Sequence, residues 1–363
     1  MKRKTGFFII MILISLVTGA CGPVTSDVPD CKKESVFCIG LVTDLGKIDD
    51  NAINQSTWEG IKQAQKNLGT VGYYIETTDS KDYEKNIATF GEAAYDLIIT
   101  AGYAQSTATL KAAAHYPKIL FIGIDQVQEP TIKIPKNLVN LVFPEDKAGF
   151  LMGALAAQMS TSKKIGAVCS RDDIPFVWRY GEGFKAGATY IDPSVEVTVT
   201  YHNEVNFEKS LNDSEWGKAT ANTLIGQGVD LLFGVGGNTG YGAILAAADK
   251  SVYALGIDYD RYYSLPEAQK ILLSSAVKLV TPIIFELIKA AKEDQFPGGK
   301  YYNGKVGYAP FHDLEKKVPV EIKAKMLKIS IGLSNGTTKT NVEQVKPVPT
   351  SEPTPIVEPT PTP

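Results

Sequence analysis

Histidine is scarce in this chain: His115, His202 and His312 are the only three in 363 residues, widely separated and without HExxH or any paired-ligand spacing. A zinc site therefore lacks its usual nitrogen ligands. Apart from Cys21, the thiols are Cys31, Cys38 and Cys169, an odd number with no CxxC pair. No G-x-S-x-G elbow occurs, and a serine nucleophile would need a histidine partner that the strand ends do not offer. "DLGKIDDNAINQ", residues 44–55, is acidic but lacks the alternating oxygen ligands and closing glutamate of a calcium loop. The formal charge of −3 and the scattered lysines leave no basic stripe, so nothing electrostatic points to nucleic acid.

What is present begins with an export signal. Lys2, Arg3 and Lys4 precede the apolar run "FFIIMILISLV", which ends at Val17 and is too short to span a bilayer. Residues 1–20 read as signal peptide. The small residues before Cys21 are similar to the lipobox of bacterial lipoproteins, with Thr18 where leucine is usual, and Cys21 is the expected lipidated anchor. The other reading is an ordinary cleaved signal that contains a cysteine. Residues 21–35 read as a tether, and residues 344–363, with prolines every few positions towards the end, as an extended, disordered tail. Export permits a Cys31–Cys38 disulfide, whereas the apolar runs around Cys38 and Cys169 favour packing as small hydrophobes.

Between these ends lie about 300 residues, enough for two domains with real cores. Five apolar runs, "VFCIGLVT", "VGYYIE", "YDLIITA", "KILFIGI" and "NLVNLVF", lie between Val36 and Phe143, separated by helix-spaced stretches. Five more, "KIGAVC", "VEVTVTY", "DLLFGVG", "VYALGI" and "ILLSSAV", follow between Lys164 and Val277. Such runs alternating with helices predict parallel strands buried on both faces. Two series of five predict a duplicated α/β architecture, two doubly wound parallel-sheet lobes facing across a cleft. Open parallel sheets bind ligands at the carboxyl ends of their strands, so the residues there are the ones to read.

Asp44 ends the first strand, and "LFIGID" and "YALGID" end the fourth strand of each series in Asp125 and Asp258. For Asp49 and Asp50 the expected role is to shape the turn and cap the helix that follows. "GVGGNTGYG", residues 234–242, follows a strand and opens a helix, but it is neither a strict G-x-G-x-x-G nor a P-loop, so no cofactor is expected. Gly236 and Gly237 are instead expected to let backbone N–H groups approach a neutral polar ligand.

"LVTDLGKIDDNAINQSTWEGI", "FIGIDQ", "NLVFPEDKAGFLMGALAA", "IPFVWRYGEGFKAG", "GVGGNTGYGAILAA", "LGIDYD", "SSAVK" and "VGYAPFHD" together resemble the basic membrane protein family of lipoproteins, in order from about Val36 to His312. The resemblance implies a type I periplasmic-binding-protein fold serving an ABC importer, with a nucleoside, of the purine class, as ligand. It places Asp44, Asn54, Asp125, Asp258 and Lys278 at the family's polar ligand contacts. Family members often carry phenylalanine, stacked on the base, where this chain has Ile53. Trp178, Tyr180 or Phe207 could compensate, or each could be ordinary packing.

The expected mechanism has Asp125, Asp258 and Lys278 holding ribose hydroxyls, Asp44 and Asn54 reading the base, and hinge closure presenting the lobes to a membrane permease and its ATPase. The expected lobes are residues 36–143 with about 276–310, and residues 144–275. Crossings are expected near 143–146, 258–275 and 300–310, with residues 311–343 packed on the lobes as an extension. The chain is then an exported, lipid-anchored binding protein and not an enzyme. A sugar receptor of the same fold, a nucleoside-cleaving enzyme and a surface adhesin are the alternatives.

Overall fold

In a computed structural model, residues 31–347 are described apart from Glu34 and Pro130. The signal peptide, Cys21 and the tail beyond Pro347 lie outside the described residues. All ten apolar runs form strands. In the first series β1 (Cys38–Leu45), β2 (Val71–Thr77), β3 (Leu97–Ala101), β4 (Leu120–Ile124) and β5 (Leu138–Val142) alternate with α1 (Ile53–Leu68), α2 (Tyr83–Glu92) and α3 (Ser106–His115). The second series opens with α4 (Glu145–Met159), β6 (Lys164–Cys169), α5 (Pro175–Ile191) and β7 (Glu196–Tyr201). It continues through α6 (Phe207–Leu211), α7 (Ser214–Gly226), β8 (Leu231–Val235), α8 (Gly237–Asp249), β9 (Tyr253–Asp258) and β10 (Leu272–Lys278). The chain finishes with α9 (Val280–Lys292), β11 (Lys300–Asn303), β12 (Val306–Tyr308) and α10 (Val320–Asn335).

Two six-stranded sheets result, ordered β11-β5-β4-β3-β1-β2 and β12-β10-β9-β8-β6-β7. Every pairing is parallel except β10 with β12. Strands β3 and β8 are buried along their whole length, as continuous apolar runs require when helices cover both faces. Each lobe thus has its own core, and the strand ends meet across a cleft.

The lobes exchange chain three times: after β5, at Leu279 between β10 and α9, and between β11 and β12. The second crossing differs from the expected 258–275. β10 stays paired with β9 through Val277 and with β12 through Lys278, so the second lobe keeps this strand to its last residue. Residues 306–308, expected in the first lobe, pair with β10 in the second sheet. α9 returns to the first lobe, where Gly60 of α1 admits it: a Cβ at that position would lie 2.8 Å from Ile284.

α4 and α5 pack as closely as backbones permit. A Cβ at Gly149 would meet the Tyr180 carbonyl oxygen at 2.3 Å, and one at Gly183 would meet the Asp146 carbonyl oxygen at 2.3 Å. This contact seats the first turn of α4 against α5, which matters for the site. α10 buries Met326, Ile329 and Leu333 in the core of the second lobe. The extension beyond it continues further than expected as packed chain. The Gln344 carbonyl accepts a bond from Arg179 at 3.0 Å and Lys346 reaches Asp172 at 2.7 Å, so residues 344–347 lie on the second lobe and do not belong to a free tail.

Cys38 is not a free apolar residue: it forms a disulfide with Cys31, whereas Cys169 is buried and unpaired. The bridge fastens the chain leading into β1, in keeping with an oxidising compartment. Cys31→Ser is expected to lower stability by about 2 kcal/mol, the loop-closure entropy of a seven-residue loop, read as a shift in the urea midpoint.

Candidate functional site

Asp44 stands where β1 ends and turns towards the second lobe. Its Oδ1 accepts bonds from the Tyr83 hydroxyl at 2.8 Å and the Leu45 N–H at 2.9 Å. Burial is the strongest influence on its carboxyl and pushes the pKa up, against these two donors. Gly102, at φ +98° after β3, makes the room: a Cβ there would lie 2.5 Å from Asp44 Oδ2. Asn54 is fully buried. Its Oδ1 accepts the Asp44 N–H at 2.8 Å and its Nδ2 donates to the Lys47 carbonyl at 3.1 Å, so it braces the loop. Asp50 accepts from the N–H groups of Ala52, Asn54 and Gln55, the expected capping role at the start of α1. Ile53 packs, half-buried, against the first-lobe core.

The centre of the site is Lys278, the last residue of β10. Its Nζ lies 2.8 Å from Asp125 Oδ2, 3.1 Å from Glu145 Oε1 and 3.3 Å from Asp258 Oδ1, while its side chain is 2% exposed. Asp125 belongs to the first lobe and Asp258 to the second, so one ammonium bridges the cleft. Both aspartates have left-handed backbone, φ +59° and +69°, which a short polar side chain tolerates and which turns each out of its strand direction. Glu145 is held from behind by Arg179, whose Nε and Nη2 lie 2.9 and 2.5 Å from Oε2. Three carboxylates thus face two cations, and the cluster carries one net negative charge.

That balance sets the proton affinities. Desolvation works against the charge on Lys278, but the three carboxylates outweigh it and hold the pKa well above the usual value. For Asp125, burial raises the pKa, Lys278 lowers it, and Glu145 and Asp258 raise it again, giving about 6. Asp125 Oδ1 is buried and accepts no hydrogen bond among the described residues. Tyr180, fully buried, donates its hydroxyl to Asp258 Oδ1 at 3.0 Å and braces that carboxylate.

Beside this cluster a cavity of about 790 Å³ opens between the lobes, lined by Asp44, Tyr83, Tyr103, Val127, Phe207 and Leu211 among others. Its volume suits a small organic ligand. Phe207 is exposed, and its ring faces Tyr103 of the first lobe at 5.8 Å; Phe176 faces Tyr103 from another side at 6.1 Å. Tyr103 and Val127 also line the narrow crevice that holds Asp125, Glu145 and Arg179, so cavity and charge cluster adjoin.

Three expected positions fall elsewhere. Trp178 stacks on Tyr201 at 6.1 Å and lines a groove beneath residues 339–343, because α5 turns Phe176, Arg179 and Tyr180 inward and leaves Trp178 and Glu182 facing that groove. The close approach that Gly236 and Gly237 allow is to the chain itself. With φ +91° and +62°, a Cβ on each would lie 2.1 Å from Ser170 Oγ and 2.5 Å from the Leu211 carbonyl oxygen.

Tyr103, Gly102, Glu145 and Arg179 were not singled out by the sequence reading. The strand-end rule applied to "TAGYAQ" after β3 would have found the first two. Glu145 and Arg179 had a fainter signal: Glu145 opens an acidic first turn with Asp146, and Arg179 is a charge among the aromatic residues that begin α5.

The family described as ABC transporter substrate-binding protein PnrA-like matches residues 39–331. A CD4+ T-cell-stimulating antigen of Listeria innocua is 29% identical over 321 residues, covering 82% of this chain and 87% of that protein. An ABC transporter nucleoside-binding protein, BmpA of Lactococcus lactis, is 29% identical over 289 residues, covering 74% of this chain and 79% of that protein. An ABC transporter solute-binding protein of Aeropyrum pernix superposes with a TM-score of 0.67 over 85% of this chain and 94% of that one, at 21% identity. That likeness places the fold among the type I periplasmic-binding proteins, as the family resemblance implied. With the match spanning both lobes, the chain belongs to the Bmp family of PnrA-like ABC transporter substrate-binding proteins.

Proposed function

We propose that the chain captures a purine nucleoside between its lobes and delivers it to a membrane permease driven by its ATPase. The observation that carries this is the pair of aspartates, one from each lobe, held by a single lysine: Asp125 and Asp258 each have an oxygen within 3.3 Å of Lys278 Nζ. Vicinal hydroxyls of a ribose are donors of the kind two fixed carboxylates accept, and Asp125 Oδ1 is free to accept one. Asp44 then reads a polar edge of the base, and Tyr103 with Phe207 supplies the aromatic face that Ile53 does not. The name of the Lactococcus lactis relative supports a nucleoside over a sugar.

Asn54, Tyr180 and the two glycines act in this reading by shaping the walls. The lobes close about the three crossings, and the closed pair of lobes is the surface the permease meets. Cys21 tethers the body to the membrane. Among the described residues no helix is long and apolar enough to cross one.

Calorimetric titration of the full chain, purified in mild detergent and refolded to strip carried ligand, tests the reading with guanosine, inosine, adenosine, cytidine, uridine and ribose. One-to-one binding of purine nucleosides without release of free base is the expected result. Binding of ribose alone would favour a sugar receptor, and release of base an enzyme. Gly102→Ala is expected to displace Asp44 and weaken guanosine binding by about tenfold or more, the loss of one buried hydrogen bond.

A further inference from the structure

Residues 338–346 cross α4 and α5 on the far side of the charge cluster, beyond the end of the family match at residue 331. Their hold is polar. The Thr338 N–H donates to the Gly332 carbonyl at 3.0 Å, the Thr340 hydroxyl to Asp146 Oδ2 at 2.5 Å, and Lys346 Nζ to Asp172 at 2.7 Å. Between these fastenings the segment spans a groove of about 540 Å³ lined by Phe150, Trp178 and Tyr190, so it bridges α5 more than it packs on it.

A fourth fastening leads inward. Arg179 Nη1 donates to the Gln344 carbonyl at 3.0 Å, and the other side of the same guanidinium holds Glu145. Glu145 in turn holds Lys278, whose remaining partners are the two aspartates of the ligand site. None of these five charged residues lines the large cavity; what sets Glu145 and Arg179 apart from the two aspartates is burial, with side chains 2% and 9% exposed against 17% for Asp125 and 22% for Asp258. A planar guanidinium with three of its N–H groups committed in two directions has one orientation, and it passes that constraint to the carboxylate it grips.

We propose that Arg179 is a positioning residue for the ligand site and that residues 338–346 are the strap that orients it. Ligand affinity is then set in part by a segment that lies C-terminal to residue 331, where the family match ends. The inference rests on the reading of Asp125, Asp258 and Lys278 as ribose contacts, so its test includes a measurement made without ligand.

The variants are Thr340→Val with Lys346→Ala, which unfastens the strap, together with Arg179→Lys and Arg179→Met, each in the full chain in mild detergent. In ligand-free protein, hydrogen exchange is measured over residues 143–147 and 276–281. Affinities for guanosine and 2′,3′-dideoxyguanosine are measured by calorimetry. Unfastening is expected to speed exchange at 143–147, which the strap touches, and at the remote 276–281, and to weaken guanosine binding about tenfold while changing dideoxyguanosine binding little, because the hydroxyl contacts are what the strap positions. Arg179→Met is expected to do the same more strongly, and Arg179→Lys to recover part of the loss. Unchanged exchange at 276–281 in the unfastened variant overturns the proposal, even if Arg179→Met fails to fold; residues 143–147 include Asp146, the direct partner of the Thr340 hydroxyl, and do not decide it alone. Equal weakening of both ligands also overturns it. If the parent chain binds no nucleoside while the remote exchange responds as stated, the strap stands and the ligand assignment falls.

Discussion

Lys278→Met is expected to lower stability by about 3–5 kcal/mol at pH 7.5, the largest effect of any single change at the site. Its ammonium is the one cation within 3.3 Å of all three of Asp125, Glu145 and Asp258 among the described residues. Removing it while keeping volume leaves three carboxylates against Arg179 alone, in surroundings where Glu145 is 2% exposed. Uncompensated charge in such a place is worse than no charge, so the loss comes from the carboxylates left behind more than from the bonds removed. Protonation relieves it, and the deficit is therefore expected to shrink towards pH 5. Urea unfolding at both pH values checks this. A deficit below about 1 kcal/mol at pH 7.5, or one that does not depend on pH, would mean the ammonium is not the keystone the geometry makes it.

The second large effect concerns Asp125. Its pKa in the folded chain is about 6, above the roughly 3.9 of an unfolded aspartate. Between those values the folded state binds more protons than the unfolded one, so stability falls as pH rises from about 4 to about 6, and the group adds no slope beyond. Two units correspond to at most about 3 kcal/mol. Asp125→Asn is expected to flatten this part of the ligand-free pH profile, measured as the difference from the parent chain so that other acids cancel. The same variant is expected to lose most nucleoside affinity, since an amide is a poorer acceptor for a hydroxyl than a carboxylate. Through this titration the parent chain is also expected to bind more weakly below pH 6, as the interlobe bond from Lys278 loses its charged partner.

Much of the fold could be read from the sequence, for one physical reason. Parallel strands covered by helices on both faces must be continuously apolar, and runs such as "LFIGI" and "DLLFGV" have few other homes. The strand-end rule then reached Asp44, Asp125 and Asp258. The second crossing could not be read: the passage at Leu279 carries no glycine, Pro282 marks the first turn of α9 and not a change of lobe, and "SSAVK" looks the same whether its last residues stay in one lobe or enter the other. Trp178 failed for a related reason. α5 carries aromatic side chains on more than one side, Trp178 and Tyr190 towards the groove and Tyr180 and Phe184 towards the core, so the aromatic pattern does not say which of them faces the ligand. Glu145 comes between Arg179 and Lys278 only after α4 and α5 close on their glycines, a contact no local pattern encodes. Asn54 and the paired glycines matched the family's pattern, yet their bonds and close approaches serve the loops themselves.

The central claim is that two aspartates from opposite lobes, fixed by one lysine, grip the hydroxyl pair of a ribose. The most direct test is calorimetric titration of the full chain with guanosine and with 2′,3′-dideoxyguanosine at pH 7.5. The account expects the dideoxy compound to bind at least about a hundredfold more weakly, because buried carboxylate oxygens are left without donors while every contact to the base is kept. Equal affinities for the two would contradict it, and would move the ligand's recognition away from Asp125, Asp258 and Lys278.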